Sequence, residues 1–193
     1  MSTEYIVADD EPHTVMVLKS LLTNQLKVPQ NAIQTAYDSA ELLDSVATLG
    51  PEPAIVTLDV ALPGALERLT MLQAVLDLRS NLRILMHSTN NCPYLVEDAI
   101  AAGAYAYVLK KSTPLVVAEG IIAARQGRVF IDPAIDMDGI RKHDWNRVTN
   151  QERRIIVALC KGTPLVQIAL ELGVRYDSIS RHKRKAMKTM KIK

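Results

Sequence analysis

Acidic, hydroxyl and ammonium side chains recur along the first 110 residues in a combination that suits phosphate chemistry. They belong to Asp9, Asp10, Glu11, Asp59, Ser88 and Lys110. Clustered carboxylates repel one another unless a hard cation neutralises them, and Mg²⁺ prefers a few carboxylate oxygens together with water. A carboxylate nucleophile, a divalent cation and a lysine suit phosphoryl transfer, which depends on positioning and charge neutralisation. Because the sequence contains neither G-x-G-x-x-G nor G-x-x-x-x-G-K, a dinucleotide or nucleoside triphosphate site is not expected.

Each of these polar positions follows a short apolar run. The runs are Tyr5–Ala8, Ala54–Leu58, Ile84–Met86 and Tyr105–Leu109, with a weaker one at Ala32–Ala36. Runs that are apolar on both faces are typical of strands in a buried parallel sheet, and helical patterns alternate with them through residue 127. The pattern therefore predicts a doubly wound α/β fold with a five-stranded parallel sheet. Because ligands bind at the carboxyl ends of the strands in such a sheet, we expect the polar side chains to meet at one edge.

The C-terminal part of the chain has a different pattern. Residues 128–148 show no sustained periodicity and are predicted to be a linker between a first domain at 1–127 and a second at 149–193. Thr149 and Glu152 have the spacing of a capping box, which predicts the start of a helix. A second helix is predicted to begin at Thr163-Pro164 and a third at about Asp177. Two short helices joined through a glycine and followed by a basic helix predict a small all-α helix-turn-helix domain.

Charge is distributed unevenly between the two predicted domains. Residues 149–193 carry a net charge of +8, whereas the remainder of the chain carries −6. The predicted DNA contacts on the third helix are Ser180, Arg181, Lys183, Arg184 and Lys188. A charged helix face is more often simply solvated, but this one contains almost no acids, which favours contact with the phosphates of duplex DNA.

Composition limits where the protein acts. No apolar run approaches the ~20 residues that a membrane helix needs, and no signal peptide is visible at the N-terminus. The two cysteines, Cys92 and Cys160, fall in different predicted domains, so a disulfide framework is not expected. We therefore expect a cytoplasmic protein without membrane contact.

In four stretches the first domain resembles the receiver domain of two-component response regulators. They are the acid pair Asp9-Asp10, LDVALPG around Asp59, LMHST around Ser88 and GAYAYVLKK around Lys110, and the resemblance spans residues 4–127. It implies a flavodoxin-like fold in which Asp59 accepts a phosphoryl group. The implied Mg²⁺ ligands are Asp9, Asp10, Asp59 and the backbone carbonyl of Ala61. Lys110 would contact the phosphoryl oxygens, and Ser88 and Tyr107 would be the switch residues, whereas His87 is expected only to pack.

The second domain is similar to the LuxR-type helix-turn-helix of the NarL/FixJ class of response regulators. The matching parts are the T-x-x-E start, Ile168-Ala169, Leu172-Gly173-Val174 and the stretch from Ile179 to His182. That class usually has a fourth helix, which often forms the dimer contact, and the sequence offers no fourth helical pattern after Met190. We therefore expect pairing to depend on the receiver or on a partner.

Two functions remain open at this point. The first is a phosphorylation-controlled DNA-binding transcriptional regulator, not itself an enzyme, that receives its phosphoryl group from a cognate histidine kinase or phosphotransfer protein and acts as a homodimer or heterodimer. The alternative is an interaction protein that works as a heterodimer partner of another regulator, with weak or phosphorylation-independent DNA binding.

Overall fold

The chain folds into two compact units, residues 1–135 and residues 136–193. The structure is a computed structural model, and it describes residues 3–66, 68–137, 148–160 and 163–190. Each unit has its own apolar core.

A parallel sheet organises the first unit. Its strands are β1 (Tyr5–Ala8), β2 (Ile33–Ala36), β3 (Ile55–Asp59), β4 (Arg83–Ser88), β5 (Ala106–Leu109) and β6 (Phe130–Ile131). Their order across the sheet is β2-β1-β3-β4-β5-β6, and every pairing is parallel. Strands β1, β3 and β5 are buried at every residue, as expected when helices cover both faces of a parallel sheet. The predicted doubly wound α/β fold is therefore confirmed.

Five helices connect these strands. They are α1 (Pro12–Ser20, continued by a π-helical turn at Leu21–Gln25), α2 (Ser39–Thr48), α3 (Arg68–Leu78), α4 (Pro93–Ala101) and α5 (Pro114–Arg125). Helix α5 packs tightly on the sheet at Gly120, where an added Cβ would lie 2.8 Å from Cγ2 of Val108. Close packing of α5 on the sheet therefore requires glycine at position 120, because any side chain there would collide with Val108.

The sheet has one strand more than the sequence predicts. Strand β6 lies inside the segment 128–148 that is predicted to be a linker, and it extends the sheet beside β5. The Phe130 amide donates to the Tyr105 carbonyl at 2.9 Å, and the Phe130 side chain packs against the apolar core. A two-residue strand is too short to show periodicity, so only its pairing with β5 reveals it. Residues 138–147 of the predicted linker lie outside the described residues.

The second unit contains three described helices. They are α6 (Asn150–Cys160), α7 (Leu165–Glu171) and α8 (Tyr176–Thr189). Their common core contains Ile155, Ile168, Ala169 and Ile179. The predicted capping box at the start of α6 is confirmed, because Thr149 N donates to Oε2 of Glu152 at 2.8 Å and Glu152 N donates to Oγ1 of Thr149 at 3.3 Å. In the parts of the chain that the structure describes, no helix combines the length and apolarity needed to cross a membrane.

Candidate functional site

The first unit gathers reactive side chains where the strand order reverses. Asp9 directly follows β1, Asp59 is the last residue of β3, and Lys110 directly follows β5. Because β1 and β3 are neighbours whose crossovers run in opposite directions, a crevice forms at their carboxyl ends, where such sheets bind ligands. The predicted convergence of these residues on one edge is present in the structure.

Lys110 stands at the centre of this group. Its Nζ lies 2.9 Å from Oδ2 of Asp9 and 3.0 Å from Oδ2 of Asp59. It also lies 3.3 Å from Oε2 of Glu11. The sequence places Glu11 among the polar residues at this edge but assigns it no metal or phosphoryl contact, and its pairing with Lys110 is seen only in the structure. One ammonium therefore contacts three carboxylates, and its single charge offsets only one of theirs.

The ion pairs shift the pKa values of the partners in opposite directions. Burial works to lower the pKa of Lys110, but hydrogen bonds to Asp9 and Asp59 outweigh it and raise that pKa above its ordinary value. Burial works to raise the pKa of Asp9, and it is outweighed by interactions with His87 and Lys110 and by the Glu11 amide, which lower that pKa. Lys110 and Asp9 are therefore both charged at neutral pH.

Three carboxylates form a candidate cation site. Oxygens of Asp9, Asp10 and Asp59 lie within 4.8 Å of one another. Asp9 and Asp59 are almost fully buried, whereas Asp10 is exposed and open to solvent. An all-oxygen donor set with an open side fits a hard cation such as Mg²⁺, which keeps several waters when it binds to proteins.

Asp59 is held by its own loop as well as by Lys110. The backbone amide of Ala61 donates to Oδ1 of Asp59 at 3.0 Å, so the two carboxylate oxygens have different partners. The role of the Ala61 carbonyl as a metal ligand stays a prediction.

The two predicted switch residues are joined through Asn90. The Asn90 amide donates to Oγ of Ser88 at 3.0 Å, and the Tyr107 hydroxyl donates to the Asn90 carbonyl at 2.9 Å. Tyr107 is fully buried, and burial raises the pKa of its hydroxyl. Asn90 was not singled out in the sequence, because nothing local shows that its backbone lies opposite the Tyr107 hydroxyl.

His87 is buried beside the acidic group, in agreement with the expectation that it packs. Its Nδ1 lies 3.9 Å from Oδ2 of Asp9, which is too long for a hydrogen bond. Neither ring nitrogen has a hydrogen-bond partner among the described residues.

Helix α8 of the second unit carries the predicted DNA contacts. Ile179 and Ala186 are buried against the core. On the far side, Arg181, Arg184 and Lys188 are exposed and spaced three or four residues apart, so they share one face. Two further predicted contacts, Ser180 and Lys183, are only partly exposed.

A basic residue of α8 that was not predicted to contact DNA has a partner inside the unit. Nζ of Lys185 lies 3.2 Å from Oε1 of Glu152, whose side chain is 1% exposed. Burial works to raise the pKa of Glu152, but the capping contacts with Thr149 and the pairing with Lys185 lower it. This ion pair ties α8 to the start of α6.

Comparison with known proteins places these features in a family. The response regulator receiver domain family matches residues 5–121. SgaR of Hyphomicrobium methylovorum, a probable transcriptional regulatory protein, is 26% identical over 180 residues, which are 93% of this chain and 82% of SgaR. The nitrate/nitrite response regulator protein NarL of Escherichia coli (strain K12) is 23% identical over 197 residues, covering 97% of this chain and 89% of NarL.

A solved structure extends the likeness to the fold of both units. RcsB from Salmonella enterica serovar Typhimurium, bound to promoter rprA in the presence of phosphomimetic BeF3-, aligns with a TM-score of 0.71 at 19% identity. The alignment covers 100% of this chain and 94% of RcsB. At this identity the likeness concerns the fold alone.

Proposed function

The chain belongs to the response regulator receiver domain family, and on that premise we propose that it is a transcriptional regulator whose DNA binding is controlled by phosphorylation of Asp59. The observation that carries the proposal is the convergence of Asp9, Asp10, Asp59 and Lys110 at the carboxyl ends of β1, β3 and β5. A buried carboxylate beside a cation site and a lysine is the arrangement that phosphoryl transfer to an aspartate requires.

The residues present fit Mg²⁺. Asp10, Asp9 and Asp59 would hold the ion, with the Ala61 carbonyl as a further expected ligand, and the bound ion would supply charge neutralisation for the incoming phosphoryl oxygens. An Asp59 oxygen attacks the phosphorus of the donor, the bond between phosphorus and the donor's leaving group breaks, and an aspartyl phosphate forms. Lys110, already 3.0 Å from Asp59, exchanges part of its contact with the carboxylates for contact with the phosphoryl oxygens.

Phosphorylation would also compete for the switch residues. A phosphoryl group on Asp59 offers strong acceptor oxygens, to which the Ser88 hydroxyl can donate. Movement of Ser88 towards them breaks its contact with the Asn90 amide, and the Asn90 carbonyl is the acceptor that holds the Tyr107 hydroxyl. The β4–α4 loop therefore links the two switch residues, and the surface around α4 and β5 changes its preferred partner.

The second unit supplies the output. The face formed by Arg181, Arg184 and Lys188 is suited to the DNA backbone and groove, and SgaR is itself described as a probable transcriptional regulatory protein. RcsB was solved bound to promoter DNA, which supports the same role for this chain. We extend the proposal to a cytoplasmic regulator, not an enzyme, that takes its phosphoryl group from a histidine kinase or phosphotransfer protein and pairs on DNA.

Beryllofluoride provides the direct test. We expect the full chain with Mg²⁺ to bind beryllofluoride, visible as bound signals in ¹⁹F NMR, and to bind promoter DNA more tightly as a result. Asp59→Asn should lose both effects. Asp44→Asn, which removes an exposed carboxylate on α2, is the matched control and should keep both. Equal beryllofluoride binding by Asp59→Asn and the parent would refute the assignment.

One observation also favours pairing with another regulator. Leu115, a large apolar side chain on α5, is 66% exposed, so it is available for a protein–protein contact. In the alternative function this contact would be the main output and DNA binding would be weak. DNA affinity that does not change with salt concentration would support that alternative, because phosphate contacts make binding strongly salt-dependent.

A further inference from the structure

Asp132 is a buried carboxylate that lies in the segment predicted to be a linker. Its side chain belongs to a residue only 1% exposed, and it directly follows β6. Oδ2 accepts hydrogen bonds from the Leu109 amide at 3.0 Å and from the Ser112 hydroxyl. Oδ1 accepts from the Ala134 amide at 2.9 Å. Both oxygens therefore have partners, as a buried carboxylate requires.

The two partners of Oδ2 lie on both sides of Lys110. Leu109 is the last residue of β5, Ser112 lies two residues beyond Lys110, and the Ser112 amide donates back to the Leu109 carbonyl at 2.9 Å. The Lys110 amide donates to the Ser88 carbonyl at 2.8 Å, which fixes the other side of this turn to β4. The Lys110 turn is therefore anchored by β4 on one side and by the Asp132 carboxylate on the other.

A local turn does not account for both oxygens of Asp132. The contact between Oδ1 and the Ala134 amide closes a turn within the segment after β6, and one oxygen is enough for it. The other oxygen accepts two donors from the end of β5 and the loop after it, 23 and 20 residues earlier in the chain. Hydrogen bonds to an ionised acceptor are stronger than those between neutral groups, so this contact is well suited to hold a loop in one position.

We propose that Asp132 is a positioning residue for Lys110. From the end of β6 it fixes the turn that sets the Lys110 ammonium between Asp9 and Asp59. Its own amide also donates to the Tyr107 carbonyl at 2.9 Å, so one residue at the exit of the first unit contacts the strand of both Tyr107 and Lys110. The inference rests on the proposed function, in which Lys110 contacts the phosphoryl group on Asp59.

Asp132→Asn tests this role. An amide has one oxygen, so its nitrogen must face either the Leu109 amide or the Ala134 amide, both of which are donors. We expect beryllofluoride affinity of the full chain to fall roughly 10-fold, a change equivalent to about 1.4 kcal/mol. Because Asp132→Asn removes a negative charge, its electrostatic effect alone would strengthen binding of the beryllofluoride anion. The expected weaker binding therefore cannot be a simple charge effect. Mg²⁺ affinity, measured by calorimetry without beryllofluoride, should stay within about twofold because the three metal-site carboxylates are unchanged.

The second readout separates positioning from general damage. If Asp132 acts through Lys110, Asp132→Asn should weaken beryllofluoride binding little or not at all in a Lys110→Ala background. Asp44→Asn should have no effect in either background. Full additivity of Asp132→Asn and Lys110→Ala would overturn the inference, as would unchanged binding in the Asp132→Asn single variant.

Ser112→Ala keeps the inference testable if variants of Asp132 fail to fold. It removes one donor and leaves the buried carboxylate with its two amide partners, so a smaller loss in the same direction is expected. Wild-type affinity in a folded Ser112→Ala protein would contradict the proposal. If the parent chain itself did not bind beryllofluoride, the proposed function would fail instead, so the two failures are distinguishable.

Discussion

Replacing Lys110 by alanine should destabilise the first unit at neutral pH, and Mg²⁺ should restore much of the loss. The Lys110 side chain is 12% exposed, and those of Asp9 and Asp59 are 1% and 4% exposed, so these are buried ion pairs. Removing one partner of a buried pair typically costs about 3–5 kcal/mol, because the other charge stays buried without compensation. We expect about 3 kcal/mol here, at the lower end, since the neighbouring Asp10 is open to solvent.

Repulsion among the remaining carboxylates gives a similar magnitude. Two like charges at the 4.8 Å limit of this cluster repel by about 3.5 kcal/mol at an effective dielectric constant of 20. A divalent cation bound by the carboxylates relieves this repulsion. In Lys110→Ala the cation no longer competes with the Lys110 ammonium for these carboxylates. Mg²⁺ at about 100 times its Kd should add about 2.7 kcal/mol of stability. The gap between parent and variant should therefore narrow as Mg²⁺ is added.

The pH dependence follows from the two pKa shifts. The lowered pKa of Asp9 gives stability that is present above the ordinary value of 3.8 and is lost as pH falls through the folded value. The raised pKa of Lys110 gives stability that is present below the ordinary value of 10.5 and is lost as pH rises through the folded value. The difference between parent and Lys110→Ala should thus be greatest between these limits and shrink outside them.

Native-state hydrogen exchange of amides in β1 and β3 is the suitable assay. It reports the opening free energy of the first unit without requiring both units to unfold together. Lys111→Ala, a change at the exposed neighbouring lysine, is the matched control and should behave like the parent. An equal loss in Lys111→Ala, or a loss in Lys110→Ala that Mg²⁺ leaves unchanged, would refute the reasoning.

Three further predictions concern the metal site and the second unit. Asp10→Ala should lower Mg²⁺ affinity in calorimetry with little change in stability, because Asp10 is exposed; unchanged affinity would remove it from the metal site. Glu152→Gln should lower the stability of the second unit by about 0.5–1 kcal/mol, because the Lys185 partner is 67% exposed and its charge is screened by solvent. Hydrogen exchange in α6 measures the loss, and a stability equal to the parent would show that the pair contributes nothing. Lys188→Ala should weaken binding to all DNA sequences alike and reduce the slope of log affinity against log salt by about 0.9. Arg181→Ala should instead relax base preference, at about 1–3 kcal/mol. The same loss on every sequence for both variants would argue against base contact by Arg181.

The first unit could be predicted well because its signals are local and repeated. Apolar runs such as Tyr5–Ala8 coincide with strands, since a parallel strand buried on both faces must be apolar at successive positions. The convergence of Asp9, Asp59 and Lys110 then follows from topology, because parallel strands all end at the same edge of the sheet. Capping boxes are equally local, and the one at Thr149 is present as predicted.

Contacts between distant segments could not be read in the same way. Helical spacing distinguished the exposed Arg181 from the buried Ile179, but nothing in the sequence showed that Lys185 pairs with Glu152 of another helix. Likewise, the position of Asn90 between Ser88 and Tyr107 depends on how the β4–α4 loop folds over β5.

The segment after α5 differs from the rest of the chain in how its structure arises. The alternation of strands and helices, the edge at which the acidic residues and Lys110 meet, and the basic face of the last helix all follow from the sequence alone, because each depends on periodicity or order along the chain. Strand β6 and the buried contact of Asp132 with the Leu109 amide exist only because β5 offers unpaired backbone groups at the sheet edge, and the Ser112 hydroxyl adds a donor from the following loop. A two-residue strand and a single aspartate have no periodicity of their own, so the hydrogen bonds that define their roles form only when the folded sheet brings the partners together.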